Sequence, residues 1–204
     1  MKIPLKKAVF IDRDGTLNEM VYDHIHGLLD SPRKLEDVRV FKGAGHFLQS
    51  LKTLGYMIIA VTNQPGLAKG TLGKDMLDAI HEKVNALLNE QGTSWDHLYY
   101  CPHHPEGTPH ENEQYIQTCT CRKPKPGLLL QAAEDHAIDL SSSWMIGDGL
   151  NDIQAGNTAG CKTILKTSLK IEHVERFFSL KEAEPDFVAT DFSEALVNIK
   201  ALSL

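Results

Sequence analysis

Residues 9–17 read Val-Phe-Ile-Asp-Arg-Asp-Gly-Thr-Leu, an apolar run leading straight into two carboxylates two positions apart and then a turn glycine. An apolar run without polar alternation suits a strand covered on both faces, which is the condition of a parallel sheet between helices. Alternate positions of a strand face one way, so Asp12 and Asp14 can address one place. In open α/β sheets ligand sites lie beyond the carboxyl ends of the strands, where this pair falls. Two further runs end alike. Residues 57–61 lead into Thr62-Asn63-Gln64, and residues 144–146 lead into Gly147-Asp148.

The remaining pattern supports the same architecture. Strands are predicted at 7–11, 57–62, 98–101, 144–146, 162–165 and 187–188, with helices near 43–54, 74–91, 126–137, 150–159 and 192–201. Gly55, Gly92 and Gly160 follow three of these helices, where helices commonly end. The expected fold is α/β, a Rossmann-like three-layer parallel sheet with helices on both faces, forming one domain over residues 1–204. A net charge of -6 disfavours a broad surface that tracks nucleic-acid phosphates. No apolar run approaches the roughly 20 residues that span a bilayer, and Asp12, Arg13 and Asp14 cut short the apolar stretch near the start, so neither a signal peptide nor a membrane anchor is expected. No membrane partner and a cytoplasmic location are therefore expected.

Clustered carboxylates repel one another unless a cation compensates them, and oxygen-only ligation of this kind suits Mg²⁺. Cysteine usage points to a second metal. Cys101, Cys119 and Cys121 lie within 21 residues, beside several histidines. With His103 they offer three thiolates and an imidazole, a set typical of closed tetrahedral Zn²⁺ sites. His104 and His110 are the alternative imidazoles, and residues 102–118 read as one long irregular loop. Cys161 stands alone and reads as a small buried hydrophobe.

Taken in order, Asp12-Arg13-Asp14-Gly15-Thr16, Thr62-Asn63-Gln64, Arg122-Lys123-Pro124 and Gly147-Asp148 with Asp152 resemble the four motifs of haloacid-dehalogenase-like phosphatases, over about residues 7–165. Within that superfamily, the strings at 101–107 and 119–127 are similar to the heptose-bisphosphatase branch, whose neighbours are the histidinol phosphatases. The resemblance implies Mg²⁺-dependent removal of the 7-phosphate from a heptose 1,7-bisphosphate, a small-molecule substrate, in nucleotide-activated heptose synthesis.

In that scheme Asp12 is the nucleophile that forms an aspartyl-phosphate, and Asp14 is the general acid and base. Thr62, Asn63 and Lys123 hold phosphoryl oxygens, with Gln64 beside them, and Asp152 orients Lys123. Mg²⁺ is held by Asp12, Asp148 and the Asp14 backbone carbonyl, while the zinc loop is structural. Asn18 is implied as a sugar or backbone contact. One departure is Gly149, which stands where the branch usually carries a basic residue after the metal-binding aspartate.

Only about 25 residues separate Thr16 from Phe41, and the segment after Gln64 runs almost directly into a helix, so neither gap holds a cap domain. An open rim shaped by loops 18–35, 65–73 and 102–118 is expected. The nearest basic residues, Arg122, Lys125 and Lys69, can hold a distal phosphate or can equally be solvated surface charge. Histidinol phosphate is the competing substrate. A zinc-stabilised binding module without catalysis is the alternative of another class, and a monomer is expected.

Overall fold

The computed structural model describes residues 5–24, 27–108, 112–178 and 183–202. Its centre is a six-stranded sheet of β1 (Ala8–Ile11), β4 (Met57–Asn63), β5 (His97–Cys101), β6 (Trp144–Gly147), β7 (Lys162–Lys166) and β8 (Phe187–Ala189). The strands run in the order β5-β4-β1-β6-β7-β8, and every pairing is parallel. The chain leaves β1 toward β4 and β5 on one side and fills β6, β7 and β8 on the other. The crevice where the winding reverses therefore lies between β1 and β6.

Period-two alternation sorts the strand residues into two cores. Val9, Ile11, Ile58, Ile146 and Ile164 face one layer with Leu48 and Leu51 of α1 (Ala44–Thr53), Leu77, Ile80, Val84 and Leu88 of α2 (Lys74–Glu90), and Ile199 of α6 (Phe192–Ala201). Ala8, Phe10, Ile59, Val61 and Met145 face the other, with Leu128, Leu129 and Ala132 of α3 (Gly127–His136) and Ala155 of α4 (Leu150–Ala159). Each fully buried Leu or Ile stabilises the fold by roughly 1.5–3 kcal/mol. The same alternation sends Asp12 toward the α3 side and keeps Arg13, fully buried, under α2.

All six predicted strands are present. Within loop 18–35 the structure adds an antiparallel hairpin, β2 (Val21–Asp23) and β3 (Leu28–Asp30). Its Tyr22, Leu28 and Leu29 are each more than 60% exposed, at 63%, 63% and 67%, so no buried apolar face marks it in the sequence. A short helix, α5 (Ile171–Val174), also went unpredicted. Among the described residues, no helix is long and apolar enough to cross a membrane.

His81 lies on the buried face of α2 with its ring 5.3 Å from that of Tyr100. Burial, reinforced by the Arg13 charge, pushes its pKa down to about 3, so the native imidazole is neutral. Below pH 6.5 the unfolded chain takes up a proton at this site that the native state refuses, and stability falls as the pH falls. Urea unfolding of His81→Leu between pH 7 and 5 should show a pH slope shallower by up to about 1.4 kcal/mol per unit. An unchanged slope would mean that His81 does not titrate as its burial requires.

Candidate active site

The carboxyl ends of β1, β4 and β6 bring Asp12, Asp14, Thr62, Asn63 and Asp148 to one rim. With Ser31, Lys123, Gly149, Asn151 and Asp152 they line a cleft of about 200 Å³. Lys123 is its organising cation. The buried Nζ donates to Asp12 Oδ1 at 2.7 Å and to the Val61 carbonyl at 2.8 Å, and pairs with Asp152 Oδ1 at 2.6 Å. Burial alone would depress the Lys123 pKa, but Asp12 and Asp152 together raise it above its ordinary value.

Asp152 reaches this position from the first turn of α4, where its other oxygen accepts the Gly149 N–H at 3.1 Å. Asn63 clamps the lysine from the opposite side. Its amide donates to the Lys123 carbonyl and accepts the Lys123 N–H, both at 3.0 Å. That side chain is thus spent on holding the 122–124 turn.

Asp14 sits in a cage of donors. Arg13 donates to Oδ1 and Oδ2, both at 2.7 Å through Nη2, and Asn18 to Oδ1 at 3.0 Å. Gln64 donates to Oδ2 at 2.8 Å while also meeting Thr62 Oγ1, and Ser31 Oγ donates to Oδ2 at 3.0 Å. Burial would raise the Asp14 pKa, yet the Arg13 charge and these hydrogen bonds hold it below the usual carboxylate value. Asn18 and Gln64, read from the sequence as substrate contacts, are buried here and aimed at Asp14. Ser31 was not foreseen. It stands 17 residues from Asp14, beyond a hairpin with no sequence signature.

Asp12, Asp148 and Asp152 present ligand oxygens within 4.8 Å of one another. Burial pushes Asp148 up to about 6, with the Asp152 charge adding to it, and burial likewise raises Asp12 against the pull of Lys123. Three carboxylates facing one ammonium leave two negative charges unmatched, which fits a divalent hard cation. Gly15 admits this crowding. It has φ +83°, and a Cβ there would lie 2.2 Å from Asp148 Oδ2. Thr16 Oγ1 steadies the same carboxylate at 3.2 Å.

The second cluster joins Cys101 at the end of β5 to His103, Cys119 and Cys121. Sulfur–sulfur separations are 3.1–3.5 Å, and His103 Nδ1 lies 3.3 Å from Cys121 Sγ and 3.7 Å from Cys101 Sγ. A tetrahedron with metal–sulfur bonds of about 2.3 Å has edges of roughly 3.7 Å, so four soft donors already stand close to the geometry Zn²⁺ takes. His104 is engaged elsewhere, accepting the Glu106 N–H, and His110 lies outside the described residues. Cys161 is buried among apolar side chains.

The three candidate basic residues separate. Lys125 Nζ donates to the Cys119 carbonyl at 2.6 Å, tying the Cys/His loop to the turn that carries Lys123. Lys69 is exposed and lines a small neighbouring cavity with Asp30, Arg33 and Gln64. Arg122 has a buried Nη1 with no partner among the described residues.

Comparison with known proteins agrees with this geometry. Residues 120–195 match a family model described as HAD-hydrolase-like. The chain is 40% identical over 169 residues to the D-glycero-beta-D-manno-heptose-1,7-bisphosphate 7-phosphatase of Pasteurella multocida, covering 82% of this chain and 85% of that protein. It is 33% identical over 196 residues to the Yersinia pestis enzyme of the same name, with 95% of each chain covered. The D,D-heptose 1,7-bisphosphate phosphatase of B. bronchiseptica, solved with magnesium and phosphate, superposes with a TM-score of 0.75 at 27% identity over 96% of this chain and 98% of that one. With its carboxylate-bearing first strand, buried lysine and Cys/His cluster, the chain belongs to the HAD-like D-glycero-D-manno-heptose-1,7-bisphosphate 7-phosphatases.

Proposed function

We propose that this protein is a Mg²⁺-dependent phosphatase that removes the 7-phosphate of D-glycero-D-manno-heptose 1,7-bisphosphate through a phosphorylated Asp12. The observation that carries this reading is the Asp12 carboxylate at a cleft mouth, with one oxygen fixed by Lys123 at 2.7 Å and Asp148 beside it. Asp12 and Asp148, with the backbone carbonyl of Asp14, would hold Mg²⁺. When bound, the cation supplies positive charge against the phosphoryl oxygens. Cys101, His103, Cys119 and Cys121 would hold a structural Zn²⁺.

The chain's own groups carry the chemistry. The Asp12 oxygen not held by Lys123 attacks phosphorus in line, and the bond to the sugar oxygen breaks as Asp14, which must first take up a proton against the pull of Arg13, delivers that proton to it. Asp14 then takes a proton from water, which attacks the phosphorylated Asp12, releases phosphate and restores the carboxylate. Lys123 and Thr62 stabilise charge on the oxygens being transferred. Of the side chains bonded to Asp14, Arg13 can only donate, whereas the Ser31 hydroxyl donates and accepts through one atom and so suits the protonated form as well.

Asp12→Asn removes the nucleophile's charge and almost none of its volume. Turnover should fall at least about 1,000-fold, with the fold and zinc content unchanged. Substantial residual turnover would mean that water, and not Asp12, attacks phosphorus.

The two metals should separate by chemistry. Elemental analysis should find about one zinc per chain after mild EDTA, and added Mg²⁺ alone should restore activity. Protein purified under reducing, metal-replete conditions without zinc would contradict the four-ligand assignment.

The rim, shaped by a hairpin and loops alone, cannot enclose a small ester, so discrimination should come from charge. Histidinol phosphate brings a cationic amine toward a cleft already lined by the Lys123 ammonium, with Arg122 next to it in the chain. We expect kcat/KM for the heptose bisphosphate to exceed that for histidinol phosphate by at least about 100-fold, or roughly 2.7 kcal/mol of transition-state binding. Comparable efficiency would favour the histidinol-phosphatase reading.

A further inference from the structure

A second cavity of about 670 Å³ opens on the far side of Asp148 from Lys123, and Gly15 and Asp148 form part of its wall. It lies between the β2–β3 hairpin, which contributes Leu29, and the carboxyl ends of β7 and β8, which contribute Lys166 and Thr190. Lys166 is half-buried there. Its Nζ rests 4.4 Å from the centroid of the Phe41 ring and 4.9 Å from that of Phe192.

Two ring faces attract an ammonium but leave its N–H donors without acceptors. Among the described residues no carboxylate lies within 4.0 Å of the Lys166 ammonium and no side-chain hydrogen bond is made to it. Burial pushes its pKa down, and Asp148 and Asp191 offset this only at longer range. Asp191 is committed to capping α6, accepting the Ser193 and Glu194 N–H groups at 2.7 and 2.9 Å. A half-buried cation held by packing, with no carboxylate in contact among the described residues, and facing a cavity that Lys42 lines as well as Glu19, is arranged to receive an anion.

The topology sets the span. β7 lies two strands from β1, so at about 4.8 Å per strand its carboxyl end stands roughly 10 Å from that of β1. That is comparable with the length of a sugar carrying a phosphate at each end. We propose that Lys166 is a specificity-determining residue, and that the cavity beyond Asp148 takes the body of the substrate while Lys166 holds the phosphate that is not transferred. Leu29 and Leu169, 67% and 58% exposed, flank the entrance and would be covered by the sugar. The assignment rests on the proposed action on a sugar bisphosphate, and it gives this role to a residue outside the 122–125 segment.

The test is the ratio of kcat/KM for D-glycero-D-manno-heptose 1,7-bisphosphate to that for the heptose 7-phosphate, in the Zn²⁺- and Mg²⁺-loaded protein. Lys166→Met should lower the ratio at least about tenfold, chiefly through KM for the bisphosphate, and Lys166→Arg should keep most of it. Equal losses on both esters would mean that Lys166 only supports the fold or Asp148. An unchanged ratio would place the second phosphate elsewhere. Either outcome overturns the proposal. Fructose 1,6-bisphosphate against fructose 6-phosphate reads the same cavity independently of the heptose. A wild type inactive on both heptose phosphates sinks the proposed substrate, whereas a fructose ratio insensitive to Lys166→Met sinks the cavity assignment.

Discussion

Three carboxylates and one ammonium share a few ångströms at the carboxyl edge of the sheet, and Lys123 is what makes that density tolerable. Taking a lysine out of water costs several kcal/mol unless its partners replace the lost solvation. Here Asp12, Asp152 and the Val61 carbonyl saturate all three N–H donors of Nζ. Removing one partner from a buried pair typically costs 3–5 kcal/mol, because the remaining charge is stranded. Asp152 therefore does more than complete a helix turn. In the proposed cycle it would keep Lys123 charged while Asp12 is consumed and regenerated, and its charge beside Asp148 raises the demand for a divalent cation.

The position of Lys123 depends in turn on a loop with little core of its own. The turn is clamped by Asn63 from the sheet and by Lys125 on the Cys119 carbonyl. Gly127 seals it at the start of α3, where a Cβ would come 2.4 Å from the Thr120 carbonyl. On the outer side Thr108 donates to the Ala68 and Lys69 carbonyls, fastening the loop to the segment after β4. A tetrahedral ion at Cys101, His103, Cys119 and Cys121 would contribute local folding free energy where apolar burial is thin. A zinc ion held there would thus support the arrangement of the cleft, although none of the four residues lines it.

Much of this was legible in the sequence because it is local. The apolar run ending at Asp12, the turn at Gly15, and the strand ends at Thr62 and Asp148 each announce themselves within a few residues, and parallel topology then brings them together. The ligand spacings at 101–103 and 119–121 are equally short-range. Asn18, Asn63 and Gln64 were placed at the site by motif, but their hydrogen bonds turn them inward, toward Asp14 or the Lys123 backbone. Motif position alone does not say whether an amide faces substrate or protein. Ser31 and Lys166 were missed for another reason. One follows an exposed hairpin with no apolar alternation, and the other ends an ordinary strand, so each acquires its role only from a neighbour distant in sequence.

Charge separation across the rim follows from the strand order. Lys123 stands against Asp12 and the Val61 carbonyl at β1 and β4, while Lys166 stands at the end of β7, and Asp148 divides the two. A phosphoryl group beside Asp12 and an anion beside Lys166 would lie on opposite sides of that carboxylate, whose repulsion a divalent cation would screen. An open rim can thus select a doubly charged substrate without enclosing it. Each end meets a cation already desolvated by the fold, and a monoester satisfies only one of them. The hairpin that borders both cavities also supplies the Ser31 hydroxyl to Asp14 at 3.0 Å. In the proposed mechanism the segment leaving the hairpin would thus serve both the wall of the larger cavity, through Leu29, and the hydrogen bonding of Asp14, through Ser31.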